Sequence, residues 1–199
     1  MAQRVAAALA LVSFPLAVHS EIAAHAVGSL PGWDYPLPSR QFSGFVSAEE
    51  NPTPGHERYL HYVFVEAEND PANAPVVLWT NGGPGCSSLE GYMMEMGPLR
   101  PDPTDPLGQR LTRNPWTWNL NANMLYVEHG VGVGFSYSNG GNVQLDDESD
   151  ARDAHWFLRN FFHPPAGTEG FHEYASNEFF LTGESYAGPA IYGHLPRPT

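Results

Sequence analysis

The hydrophobic and polar positions of the chain lay out a succession of short strands with one clear helix. Gln41-Phe42-Ser43-Gly44-Phe45-Val46 alternates apolar with polar or small residues, the pattern of a half-exposed strand. Tyr59-Leu60-His61-Tyr62-Val63-Phe64-Val65-Glu66 is dense in aromatic and β-branched residues and predicts a second strand. Asn51–His56 between them predicts the turn of an antiparallel pair. After a loop at Asp70-Pro71-Ala72-Asn73, Pro75-Val76-Val77-Leu78-Trp79 is a compact apolar run, and Met124-Leu125-Tyr126-Val127-Glu128 is another, each reading as a buried strand. From Asp146 to Phe162 acidic residues crowd the first turn, while Ala154, Phe157, Leu158 and Phe161 recur at helical spacing before Pro164 and Pro165 stop the helix. Phe179, Phe180 and Leu181 predict a short buried strand. Strand, loop, helix and strand in this succession is α/β order.

Two of these strands run into turns that carry chemistry. Phe179–Leu181 leads into Gly183-Glu184-Ser185-Tyr186-Ala187-Gly188, where small residues let the backbone turn sharply and lift the Ser185 hydroxyl clear of the sheet, as in a nucleophile elbow. The common form has glycine two residues after the serine, where this chain has Ala187; the hexapeptide alone also reads as a plain Gly-Ser turn. The Val76 strand breaks into Thr80-Asn81-Gly82-Gly83-Pro84-Gly85-Cys86-Ser87-Ser88, whose glycines leave backbone N–H groups uncovered. Acyl transfer needs donors aimed at the oxygen that becomes negative in the tetrahedral intermediate. A loop after an early strand supplies one and the residue after the serine the other, which assigns them to Gly83 and Tyr186. A phosphate-binding loop is excluded because no Lys-Ser/Thr follows the glycines.

Trp79 through Ser88, Glu95-Met96-Gly97-Pro98, Asn114-Pro115-Trp116-Thr117-Trp118-Asn119, Gly132-Val133-Gly134-Phe135-Ser136-Tyr137-Ser138 and Thr182 through Gly188 occur in this order. The series resembles the serine carboxypeptidases, over roughly residues 30–188. The resemblance implies the N-terminal portion of an α/β-hydrolase fold, with a mixed, mostly parallel sheet and flanking helices. It implies a serine-type carboxypeptidase that releases C-terminal residues from peptides or proteins through a Ser185 acyl-enzyme. Asn81, Glu95 and Glu184 would hold the substrate's free carboxylate. Two acidic side chains beside a third carboxylate repel it unless a proton is shared, so such an enzyme binds best in acid. Acyl transfer to an alcohol is the neighbouring activity, and a catalytically silent fragment is the reading from another class. No cofactor and no metal is called for. The family's partner for Cys86 is not among these residues, so the sole cysteine is expected as a small buried hydrophobe. Glu128-His129-Gly130 departs from the Glu-Ser-Pro or Glu-Gln-Pro usual in the family.

Other features refine the picture. Trp116, Trp118, Phe135 and Tyr137 read as core aromatics. The glycines of Gly130–Gly134 have the wrong spacing for a dinucleotide loop. Residues 1–20, with Arg4, an apolar stretch from Val5 to Val18 and Val18-His19-Ser20, read as a cleaved secretory leader bound for vacuole, lysosome or the outside, leaving 21–199 as one partial domain. A net charge of −13 excludes nucleic acid and anionic membrane as natural partners. Ser185 needs an imidazole to take its proton and a carboxylate to orient that imidazole. The 14 residues after it contain His194 but no Asp or Glu, and Gly193, Pro196 and Pro198 would stop a helix there. The triad Asp and His are therefore absent from this reading, His194 is a poor base, and His129, His155, His163 and His172 read as surface or loop residues. The expected product is truncated or mispredicted.

Overall fold

The computed structural model describes residues 22–188 apart from 142, 144 and 169. The leader, the tail and His194 lie outside the described residues. In chain order the strands are β1 (Gln41–Ser47), β2 (Arg58–Val65), β3 (Val76–Thr80), β4 (Leu99–Pro101), β5 (Leu111–Arg113), β6 (Asn123–Val127), β7 (Tyr137–Ser138) and β8 (Phe179–Gly183), with one long helix α1 (Asp147–Phe162) between β7 and β8. The main sheet has the order β1-β2-β6-β3-β8, and β7 pairs beside β2. β1 and β2 form the expected antiparallel pair, with Gln41 opposite Val65 and Ser47 opposite Tyr59. β2 is also antiparallel to β6 and β7, whereas β3 lies parallel to both β6 and β8. The sheet is therefore mixed and mostly parallel in direction, with only β2 among its described strands running against the rest. β4 and β5 make a small separate hairpin that the apolar pattern does not reveal.

Both faces of the sheet are covered, which explains the continuous apolar runs. On one face Leu60, Tyr62 and Phe64 of β2, Val76 and Leu78 of β3 and Leu125 and Val127 of β6 pack against Phe157 and Phe161 of α1 and against Phe171 and Tyr174. On the other, Val63, Val65, Trp79, Met124 and Tyr126 pack against Tyr92 and Met96. All five residues of β6 are buried, as a central strand covered on both faces requires. α1 starts where its sequence says it should. Asp146 accepts from the Ser149 amide at 2.8 Å while Ser149 Oγ accepts from the Asp146 amide at 2.9 Å, a reciprocal cap with serine in the place usual for Glu or Gln.

Two expectations of burial are corrected. Phe179, Phe180 and Leu181 are 38%, 49% and 37% exposed, because β8 ends the described strand order and pairs on one side only. Trp116, Trp118, Phe135 and Tyr137 are also exposed. Each of the last three packs on a neighbouring ring (Trp118 on Trp79, Phe135 on His61, Tyr137 on Tyr59 and Phe45) and keeps part of its surface open.

α1 is tied to the β1–β2 turn by charge as well as by aromatic packing. Asp153 has no exposed surface and meets Arg58 Nη2 at 2.8 Å, although neither of its oxygens accepts an aligned hydrogen bond from a described residue. Burial pushes its carboxyl up to about 7, with Arg58 and Arg152 opposing and Asp150 and Glu49 adding to the rise. A value raised in the folded state means that folding favours the protonated form. This contribution to stability is therefore full in acid and is lost as the pH climbs from about 4 towards 7. Asp153→Asn is expected to leave stability in urea unchanged near pH 4 and to raise it by up to about 3 kcal/mol near pH 7.5. A difference that shrinks as pH rises would contradict this origin.

The turn after β8 stores strain of its own. Ser185 has φ 52°, in the left-handed region that a side chain with a Cβ disfavours. Ser185→Gly should therefore be about 1 kcal/mol more stable than Ser185→Ala in chemical denaturation. Equal stabilities would show that the turn relaxes to another backbone conformation.

Candidate active site

Because β3 and β8 are adjacent and parallel, the turns that follow them leave the same edge of the sheet. The ladder ends with Thr80 opposite Gly183, and the Glu184 amide then donates to the Thr80 carbonyl at 3.2 Å. Gly82 lies directly against the bend. A Cβ on it would stand 2.7 Å from the Tyr186 nitrogen, 2.8 Å from the Glu184 carbonyl oxygen and 2.9 Å from the Ser185 Cβ, so only glycine permits this approach. Ser185 is exposed at the apex of the bend, and the amides of Ala187 and Gly188 return to the carbonyls of Glu184 and Ser185 as a helical turn begins. Ala187, in the place where the elbow commonly has glycine, is 3% exposed, so its methyl group is accommodated in the packing.

Neither the Gly83 amide, one residue beyond this contact, nor the Tyr186 amide donates to another described residue. Gly83 has φ 111°, which turns the loop away from the strand direction and which glycine adopts without a steric cost. The Ser185 hydroxyl likewise has no hydrogen-bond partner among the described residues.

Asn81 is the centre of the polar part of the site. Its side-chain nitrogen donates to Glu95 Oε1 and to Glu184 Oε1, each at 3.2 Å, so residues 14 and 103 positions away are gathered on one amide. The amide cannot flip, because its oxygen accepts from Trp79 Nε1 at 2.9 Å and from the Gly91 amide at 3.1 Å. Its backbone N–H is held by Ser88 Oγ at 3.1 Å. Trp79 was not singled out by sequence as a site residue. The available signal was its place two residues before Asn81 where the chain leaves β3, since extended backbone puts alternate side chains on one face. Glu95 ends the π-helical turn Gly91–Glu95, and the Asn114 side chain fixes that end by donating to the Glu95 carbonyl at 2.8 Å and the Gly97 carbonyl at 2.9 Å.

A cavity of about 310 Å³ opens between the glycine loop, the bend and the start of α1, lined in part by Asn81, Gly82, Gly85, His129 and Tyr186. His129 is a loop residue, as expected, and stands half-buried against this cavity. Its Nε2 meets the Asp150 carbonyl oxygen at 3.0 Å, and burial holds its imidazole below the ordinary value against the opposing pull of Asp150. The Tyr186 hydroxyl donates to Asp147 Oδ1 at 2.6 Å on the same wall. His155 is half-buried on α1, and His163 and His172 are exposed. Cys86 is exposed and not buried as expected, since the loop that carries it stands out from the sheet edge with Gly83, Pro84 and Gly85 also open to solvent.

Comparison with known proteins agrees with this arrangement. Residues 31–193 match the serine carboxypeptidase family. The chain is 45% identical over 164 residues to the lysosomal protective protein of Mus musculus and 41% identical over 165 residues to serine carboxypeptidase 1 of Hordeum vulgare, covering 81% of this chain and 31% of each relative. Among solved structures it is similar to the prohormone-processing carboxypeptidase Kex1 of Saccharomyces cerevisiae, with a TM-score of 0.68 and 25% identity over 83% of this chain and 36% of that one. The chain thus spans about a third of the length of the curated relatives it matches. With a family match over most of its length and the strand order, sharp serine turn and glycine loop described above, the chain belongs to the serine carboxypeptidase family.

Proposed function

We propose that this chain carries the substrate-carboxylate grip and the nucleophile of a serine-type carboxypeptidase acting on the C-termini of peptides. Asn81, Glu95 and Glu184 take the free carboxylate of the terminal residue. Ser185 attacks the preceding carbonyl, and the amides of Gly83 and Tyr186 receive the oxygen that becomes negative. The observation that carries this reading is the gathering of Glu95 and Glu184 on the one side-chain amide of Asn81, with Glu184 immediately before Ser185. Both carboxylates are exposed beside the serine turn, where an incoming ligand can reach them.

The chemistry of the grip sets its pH dependence. A substrate carboxylate entering beside Glu95 and Glu184 makes three acidic groups around one amide donor, so binding takes up a proton and tightens as pH falls. The setting proposed is the secretory pathway, ending in an acidic vacuole or lysosome or outside the cell, a reading supported by the leader-like residues 1–20 and by the name of the lysosomal relative. No described helix is long and apolar enough to cross a membrane.

A second reading is binding of peptide C-termini without turnover. It is favoured by one observation: Asn81, Glu95 and Glu184 are joined to one another by hydrogen bonds that do not involve Ser185. A blocked dipeptide and a serine-directed phosphonate separate the two. Turnover, or stoichiometric phosphonylation of Ser185 that Ser185→Ala abolishes, is expected of the peptidase. Binding with neither outcome is expected of the second reading.

Under both readings a blocked dipeptide acid should bind more tightly at pH 5 than at pH 7.5, while its C-terminal amide should show no such dependence. Asn81→Ala should weaken the acid about tenfold or more, since a hydrogen bond to a charged group contributes about 1.5–3 kcal/mol. Equal affinity for acid and amide would remove the grip from both readings.

A further inference from the structure

Behind the glycine loop lies a second buried polar cluster that the grip and the nucleophile do not use. Glu128, the residue after β6, is 1% exposed. One carboxylate oxygen accepts from Ser87 Oγ in a short hydrogen bond, and the other accepts from the Phe135 amide at 2.7 Å and faces His61 Nδ1 at 3.0 Å. His61 on β2 continues inward, with its Nε2 3.0 Å from Ser43 Oγ on β1 and its backbone amide donating to Ser136 Oγ at 2.9 Å. Ser136 Oγ closes the cycle on the Glu128 carbonyl at 2.6 Å. Gly134 makes room for the group. It has φ 52°, and a Cβ there would stand 1.7 Å from Glu128 Oε1.

The cluster links three strands of the sheet to the part of the loop that needs fixing. Ser87 is the one member that belongs to the loop, and its Oγ also receives the Leu89 amide at 3.2 Å, which starts the helical turn towards Glu95. One residue on, Ser88 holds the Asn81 amide, and one residue back, the Cys86 amide closes the loop on the Gly82 carbonyl at 3.1 Å. Between these anchors Gly82, Gly83 and Gly85 have no side chains with which to hold a conformation. A loop of that composition holds the Gly83 amide in one place only if its ends are fixed from outside.

We propose that Glu128, braced by His61, is a positioning residue that fixes the glycine loop through Ser87, and so sets where the Gly83 amide and the Asn81 grip stand. The role in the reaction rests on the function proposed above; the positioning itself does not. Asn81 and Cys86 report it, because their amides are the loop's own hydrogen bonds. Burial alone would push the Glu128 carboxyl up, yet the His61 ring 3.0 Å away and the donors Ser87 and Phe135 outweigh it and hold it below the usual carboxylate range. A depressed value means that the charged form is favoured by folding, so the brace is present above about pH 4.5 and is lost as pH falls below that.

The test uses the full chain with Glu128→Gln, which keeps the shape but turns an amide nitrogen towards one of the donors, and Ser87→Ala, which removes the loop side of the link together with the Leu89 amide's acceptor. Amide exchange at Asn81 and Cys86 is expected to rise about tenfold in both variants while amides of β3 and β6 stay protected, in keeping with loss of a charge-assisted hydrogen bond. The double variant should be no worse than either single one, since both cut the same link. The Gly83 and Gly85 amide shifts should follow a titration below about pH 4.5 in the parent chain that is missing in Glu128→Gln. A residue of purely structural importance would lower protection throughout the sheet and would leave the two variants additive. That result, or unchanged exchange at Asn81 and Cys86 in folded Ser87→Ala, would overturn the proposal. Separately, if the parent chain binds dipeptide acid no better than its amide, the proposed function fails while the exchange result still decides the positioning role.

Discussion

The adjacency of β3 and β8 in one parallel orientation is the constraint from which the site follows. Parallel neighbours must end on the same edge of a sheet, so the segments leaving them meet there, however far apart they stand in sequence. Here that places a glycine loop against a serine turn about a hundred residues later, with Gly82 close enough to touch the backbone of Glu184 and Tyr186. The core serves this adjacency. β6, fully buried, holds β3 from the other side, and the aromatic packing of α1 on one face and of Tyr92 and Met96 on the other fixes the sheet between two layers.

On that frame the polar groups are arranged so that little is left to move. The amide of Asn81 has its oxygen tied to Trp79 and Gly91, which aims both hydrogens at carboxylates. Fixed donors of this kind cost no reorganisation when a ligand arrives, which is what makes such sites effective at holding charge. The glycine loop is restrained in the same spirit from behind, by Ser87 on Glu128. Ser185 sits at a positive φ that the surrounding hydrogen bonds impose, the kind of local strain that folded proteins maintain where a side chain has to be presented outward.

Much of this is legible in the residues. The runs at 76–79 and 124–127 are apolar throughout because both of their faces are covered, and the helix at 147–162 announces its start and stop through Asp146 and Pro164. The motif order gives the family. What the pattern hides is whatever depends on neighbours. Phe179–Leu181 reads as buried because apolar runs usually are, yet among the described residues it is an edge. Trp116 and Phe135 are large and apolar but stand on loops, where size does not secure burial. Trp79, Ser87 and Glu128 escape notice because their roles consist of hydrogen bonds to residues distant in sequence, which no local periodicity records.

The central claim is that Asn81, Glu95 and Glu184 form one grip for a free carboxylate beside Ser185. Nuclear magnetic resonance mapping of the bound site tests it most directly, by following the Asn81 side-chain amide and the Gly83 and Tyr186 backbone amides during titration with a blocked dipeptide acid. The account predicts that these three signals shift together and saturate with the acid, and that the dipeptide amide leaves them in place. Shifts confined to other parts of the chain, or identical shifts with acid and amide, would contradict it.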